Sequence, residues 1–285
     1  MAEFGRCKLT GKHGRLVKSH IIPRAFTDLV LDHITRVEYG CGSDRPVVRR
    51  SSWFDNKLVT KEGEDILARI DSDAVNEIDR LGLAWRSFPL TENAGRYSLP
   101  GAEFEILTLY DVNSEKLRLF CHSLLWRASF SRRSEFREIR IDPVAKRKLT
   151  NIIVGRVEAS LSDFPCSLML ITSIGQRHVH SPCRVKIPVF GYNNETYADL
   201  KVFRFFVDGL IIYTGRKLSD KNLLKFWGNR VIGASNQLMV LGRKFEGSRQ
   251  EAMLNFFQDE MSEKFPENAA RIYQYLNNEK LRNAP

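Results

Sequence analysis

The segment Cys7-Lys-Leu-Thr-Gly-Lys-His13-Gly-Arg-Leu-Val-Lys-Ser-His20-Ile-Ile-Pro23 gathers side chains that can do chemistry. A neutral imidazole takes up a proton at physiological pH, and a nearby proline stiffens the backbone that aims it, so His20 is a candidate general base. Downstream, Asp55, Glu64, Asp65 and Asp71 offer enough oxygen ligands for Mg²⁺ or Mn²⁺. Glu64 and Asp71 are two helical turns apart and share a face, which permits joint coordination; the plainer reading is the wet face of an amphipathic helix. Cys7 and His13 supply at most two of the four ligands of a closed tetrahedral zinc site, so a structural zinc is not expected.

Positive charge surrounds this segment. Lys12, Arg15, Lys18 and Arg24 cluster about His20, with Arg6 and Lys8 just before them. A second stripe holds Arg127, Arg132, Arg133, Arg137, Arg140, Lys146, Arg147 and Lys148 against three acidic residues, Glu135, Glu138 and Asp142. Such stripes bind phosphates without reading bases, and they are also what a solvated, ion-paired helix face looks like. The whole chain carries a formal charge of +10 with a sequence pI near 9.4, which attracts polyanions through counterion release. Two further constellations read as structural. His178-Val-His180-Ser-Pro-Cys183 resembles a metal clip but lacks a fourth ligand and joins two strand candidates; Cys121-His122 falls on the apolar side of a helix.

The elements that must hold these groups are legible in part. Ile66, Leu67, Ile70, Ala74, Val75, Ile78 and Leu81 recur at three- and four-residue intervals, which predicts an amphipathic helix from Gly63 to Leu81. Helices are also predicted from Ser114 to about Phe130, and from Pro143, capped by Asp142, to about Leu161. Phe104–Tyr110 reads as a strand or the opening of a helix. After Pro165 the period turns extended over Ser167–Ile174, Cys183–Phe190 and Lys201–Thr214, which predicts a small antiparallel sheet at about 166–214. Helical spacing returns at about 248–281, split by Pro266. The expected fold is α+β: a loop-rich head at 1–90, then a second domain at 91–285 with a helical middle, the sheet and a helical tail.

The head resembles the start of HNH (ββα-metal) endonuclease modules, on Cys7 through Pro23 and above all on Ser19-His20-Ile21-Ile22-Pro23. The likeness covers about residues 7–72. It implies a ββα head in which His20 activates water against a phosphodiester, Asn56 or Asp55 in a loop orients it, and Glu64 with Asp71 or Asp65 holds Mg²⁺ or Mn²⁺ against the phosphate. The chain departs from the pattern at Thr10, where the family has a second knuckle cysteine, and at Ser19, where it often has an acid; the helix carries no His. The wording of this segment, with Trp53-Phe54-Asp55 and the later Ser123-Leu-Leu-Trp-Arg127, is also similar to bacterial HNH-like proteins found near antiphage genes.

Composition bounds these readings. With 285 residues, 43% hydrophobic and 27% charged, the chain is globular, without repeats or low-complexity linkers. Five cysteines at wide spacing suit reduced thiols better than a disulfide framework. Lacking an apolar membrane span or signal core, it is expected to be cytoplasmic, with no membrane partner. Phosphate-binding glycine loops, nucleophile elbows and zincin helices are absent. The sequence supports an HNH-like nucleic-acid-binding protein, DNA ahead of RNA, that is either a Mg²⁺- or Mn²⁺-dependent nuclease or defence effector with protein partners, or an inactive assembly subunit derived from one.

Overall fold

The computed structural model describes residues 3–27, 36–39, 47–49, 52–92, 94–98, 100–176, 178–190, 196–267, 269–270 and 274. The chain begins with β1 (Phe4–Arg6) and β2 (His13–His20), then β3 (Arg36–Tyr39), β4 (Val47–Arg49), β5 (Phe54–Thr60) and α1 (Lys61–Leu81). β6 (Gly95–Ser98) and β7 (Glu105–Leu109) form a hairpin before α2 (Ser114–Phe130) and α3 (Pro143–Ile153). There follow β8 (Cys166–Ile171), β9 (Val179–His180), β10 (Cys183–Phe190), β11 (Thr196–Val207), β12 (Leu210–Gly215), α4 (Lys221–Trp227), β13 (Leu238–Arg243) and α5 (Arg249–Lys264). The described residues thus form an α+β fold. None of their helices is long and apolar enough to cross a membrane.

The helices follow local chemistry closely. α1 buries Leu67, Ile70, Ala74, Ile78 and Leu81, the predicted stripe. It stops at Gly82, whose φ of 66° closes a Schellman turn in which Gly82 N–H bonds Asp79 and Leu83 N–H bonds Ile78. A Cβ at Gly82 would also strike the Pro89 carbonyl, so no other residue fits. α2 is capped by the Asn113 side chain and is buried on nearly all sides from Leu124 to Ser129, as a helix lodged between layers must be. α3 begins as expected, with Asp142 accepting from Ala145 N–H and Pro143 in the first turn. It ends at Ile153, well short of the predicted Leu161. Gly155, at φ 73°, bonds Ile152, and Arg156 bonds Asn151, the same left-handed stop as in α1.

The sheet differs most from expectation. In place of a small antiparallel sheet over 166–214, seven strands run in the order β10-β11-β12-β8-β13-β7-β6, and β13 lies parallel to β8. The Phe104–Tyr110 stretch supplies β7, and Leu238–Arg243, between the expected sheet and tail, supplies β13. Neither can form a sheet alone; each is recruited by a partner far away in the chain. Two three-stranded sheets, β1-β2-β5 and β4-β3-β9, complete the β structure among the described residues. One cluster of buried side chains runs from Cys7, Leu9 and Ile21 through Leu67 and Trp126 to Val240, so the head and the remainder share a core. In the tail, Ile272, Tyr275 and Leu276 lie outside the described residues, as does Cys41 in the head.

Candidate functional site

β2 pairs antiparallel with β5, and α1 starts at the residue after β5 ends, so two strands and a helix are packed in succession. Phe54, Asp55 and Asn56 are therefore strand residues, where a loop was expected. The β2–β5 register slips between Val17 and Ser19, after which Ser19 faces Asp55 and His20 faces Phe54. Ile21 N–H bonds the Trp53 carbonyl at 2.9 Å, and Ile21, Ile22 and Pro23 are buried, which anchors the backbone just past His20. The imidazole meets the Phe54 ring edge-on at 6.3 Å, with Lys18 Nζ 4.1 Å from the centre of the same ring. Ser19, on the opposite face of the strand, is fully buried.

The centre of this arrangement is Arg127, whose residue is only 1% exposed. Its Nη1 donates to the His20 carbonyl at 3.1 Å and to Asp71 Oδ2 at 2.8 Å; its Nη2 donates to Asp71 Oδ1 at 2.6 Å and Ser123 Oγ at 3.0 Å; its Nε donates to the Ser123 carbonyl at 3.3 Å. Every N–H of the guanidinium is thereby used. Arg127 cannot be the phosphate contact expected from the stripe; it ties β2 to α1 and α2. Asp71 is corrected with it, since both carboxylate oxygens are bound to Arg127 and its charge is neutralised there.

His20 Nε2 and Glu64 Oε2 are buried polar atoms without a hydrogen-bond partner among the described residues, and the Ser19 hydroxyl, on the other face of β2, interacts with the Glu64 carboxylate. Leaving such an atom unsatisfied costs about 1–3 kcal/mol. Burial, with the cations Lys18, Arg24 and Arg127, lowers the His20 pKa below its ordinary value against the pull of Asp71, so the imidazole is neutral at pH 7. Burial raises the Glu64 pKa, an effect opposed by the neighbouring Ser19 hydroxyl and Arg127 and reinforced by Asp71.

The remaining site residues are dispersed. Asp55 Oδ1 accepts from Lys57 N–H and its Oδ2 from Ser131 Oγ; Asn56 is exposed; neither bonds the His20 side chain. Asp65 points to solvent and pairs with Lys61. Of the expected cation ligands, Glu64 alone has an open oxygen in the centre, and among the described residues no three His, Cys, Asp or Glu side chains gather as a metal site. Glu64 thus offers one open carboxylate oxygen, with the Ser19 hydroxyl beside the carboxylate. Lys12 pairs with Glu62, Arg133 with Glu135, and Lys148 with Asp163, so these three are at least partly neutralised. Arg15, Arg24, Arg132, Arg137, Arg140 and Arg147 are exposed and Lys146 half-exposed. Sequence reasoning missed Ser123 as an anchor and misassigned Arg127; the four-residue spacing of the two on one helix was the available signal.

The clip at His178 and His180 is a packed polar core. Both rings stack on Phe206; His180 Nε2 lies 3.2 Å from Arg204 Nη1, and His178 Nε2 lies 2.6 Å from Gln250 Nε2. Burial, with Arg204 nearby, lowers their pKa values to about 4 and about 3. Both stay neutral in the folded chain while the unfolded chain binds protons near pH 6.5, so stability is present above that pH and lost as pH falls towards about 4. Denaturant midpoints at pH 7 and pH 5 should show that loss, and His180→Phe should shrink it; an unchanged pH dependence would locate the titration elsewhere.

Cys7 is buried beneath α1, its sulfur accepting from Thr10 N–H at 3.4 Å. Burial, which raises its pKa, is outweighed by hydrogen bonds from Thr10 and Thr60, and the net shift is downward. A Cβ on Gly63 would lie 2.8 Å from that sulfur, so α1 packs directly against it. Purified protein should hold less than one equivalent of zinc, and a chelator should leave it folded; stoichiometric zinc by elemental analysis would reveal ligands outside this packing.

Comparison of the chain with family models, with curated proteins and with solved structures gives no match.

Proposed function

We propose that this chain is a nucleic-acid-binding protein with an HNH-like head whose His20 acts as general base on a phosphodiester. The observation that supports it is the unpartnered His20 Nε2 on β2, a strand packed against both β5 and the helix that carries Glu64. A neutral imidazole with a free Nε2 can take the proton of an attacking water. Glu64, with Ser19 beside it, would hold Mg²⁺ or Mn²⁺, which supplies charge neutralisation on the phosphate when bound. Arg127 fixes the His20 backbone, and Phe54 limits the tilt of its ring. The exposed arginines around the head and beyond α2 favour a polyanionic substrate.

A second reading, an inactive binding subunit, is favoured by Asp71 being held by Arg127 and by a neutral Ser19 beside Glu64, which leave one carboxylate for a cation. Plasmid DNA and RNA incubated with the full chain and Mg²⁺ or Mn²⁺ separate the two. Cleavage that disappears in His20→Ala supports the enzyme. Salt-sensitive binding without cleavage by wild type supports the binding subunit.

A further inference from the structure

The register of β1 and β2 sorts their side chains onto two faces. Gly5 pairs with Gly14 on the inner face, where a Cβ on Gly5 would lie 2.8 Å from the Leu16 side chain and one on Gly14 would lie 3.1 Å from that of Thr60. Phe4 lies opposite Arg15 and Arg6 opposite His13, so these four share the outer face, and all of them are exposed. Phe4 is 78% exposed, more than any other large apolar side chain among the described residues, and its ring has no aromatic or cationic partner there. A ring left so far in water adds little to folding stability.

The charge beside it is held in place and unopposed. Arg6 Nε donates to the Gly11 carbonyl at 3.1 Å, which leaves both terminal guanidinium nitrogens open. Arg6 and Lys8 line one cleft of about 270 Å³ with Cys7 and Gly11. The turn that carries them is closed by Cys7 N–H to the Lys12 carbonyl at 2.8 Å and Gly11 N–H to the Cys7 carbonyl at 3.0 Å. Among the described residues no carboxylate pairs with Arg6, Lys8 or Arg15; Glu3 and Glu62 are taken by Lys57 and Lys12.

We propose that the outer face of the β1–β2 ribbon is a platform for a single-stranded polynucleotide, with a base stacked on Phe4 and phosphates held by Arg6, Lys8 and Arg15. A ring flanked by open cations suits a ligand with flat apolar faces and closely spaced negative charge, and only unpaired bases offer such a face. Phe4 and Arg6 are about 7 Å apart along β1, a spacing that a stacked base and an adjoining phosphate can bridge. β2 carries this face at one end and His20 at the other, so a strand held here can run on towards the proposed base. The inference thus rests on the function proposed above and narrows its substrate.

Binding of the full chain to labelled single-stranded DNA, single-stranded RNA and duplex DNA of one length, read by fluorescence anisotropy without divalent cation, tests it. Phe4→Ala should weaken single-strand binding by about tenfold, the scale of one lost base stack, at unchanged salt slope. Arg6→Gln and Arg15→Gln should each lower the salt slope by about 0.7. In Phe4→Trp the introduced indole is the one exposed indole of the chain, since Trp53, Trp85, Trp126 and Trp227 are buried, and its fluorescence should fall when single strand is added. These substitutions alter exposed side chains, so urea midpoints should stay near that of wild type. A loss on either single strand supports the platform and names its sugar. Single-strand affinity undiminished by Phe4→Ala overturns it, as does an equal loss on duplex DNA. Weaker binding of Phe4→Ala to phosphatidylserine vesicles, with oligonucleotide binding intact, identifies a membrane-facing patch and also overturns it. If wild type binds polynucleotide and the variants bind as well, this inference fails while the function proposed above stands; if wild type binds none, both fail.

Discussion

Arg127→Met is expected to be among the most destabilising single changes in the chain, costing about 3 kcal/mol or more, the range for breaking a buried ion pair from one side. It strands the Asp71 carboxylate, which is only partly exposed, and frees the His20 and Ser123 carbonyls together with Ser123 Oγ. Asp71→Asn should cost a comparable amount, because it leaves a guanidinium without a counter-ion. Arg127→Met combined with Asp71→Leu should be less harmful than the sum of the single changes, as partners in one network are. Urea midpoints of the four proteins measure this. If Arg127 were a solvated phosphate contact, the single change would alter stability by no more than about 0.5 kcal/mol. A second readout is independent of folding energy. Removing Arg127 takes away a cation that lowers the His20 pKa and leaves Asp71, which raises it. The imidazole should therefore titrate higher by NMR in any fraction that stays folded.

Under the proposed nuclease function, His20→Ala is expected to lower phosphodiester cleavage by about 10²–10⁴-fold, the usual contribution of a positioned base. Its side chain is half-buried and forms no hydrogen bond through Nε2, so the change should leave the urea midpoint nearly intact while activity falls. The pH profile adds a sign. The base works when neutral, and its pKa is lowered by burial and by Lys18, Arg24 and Arg127. Cleavage should rise with pH through a limb below about 6.5 and be flat through neutral pH. A limb above pH 7, or cleavage equal in wild type and His20→Ala, would remove His20 from the mechanism. Glu64→Gln supplies the companion measurement: it should raise the Mg²⁺ or Mn²⁺ concentration needed for half-maximal rate, since Glu64 alone among the expected ligands has an open oxygen at the centre.

Much of this molecule follows from neighbouring residues. The apolar spacing of α1, the Asp142 cap and Pro143 at the start of α3, and the span of α2 depend on interactions within a few residues, so they can be read along the chain. The premature end of α3 was also local: Gly155 supplies the left-handed turn, and it went unread. His20, with its imidazole followed by two apolar anchors and Pro23, is likewise a local signal, and the structure leaves its Nε2 unbonded. What tertiary structure alone decided is which partners meet. β13 becomes a strand because it lies between β8 and β7 in the seven-stranded sheet, a placement with no local signature. The fate of each charge was decided in the same way. Residue type makes Arg127 and Asp71 ionisable groups, but only the packing of α1 against α2 brings Asp71 within 2.6 Å of Arg127. An ion's energy depends on the solvent and countercharges around it, and those are contributed by residues far away in sequence.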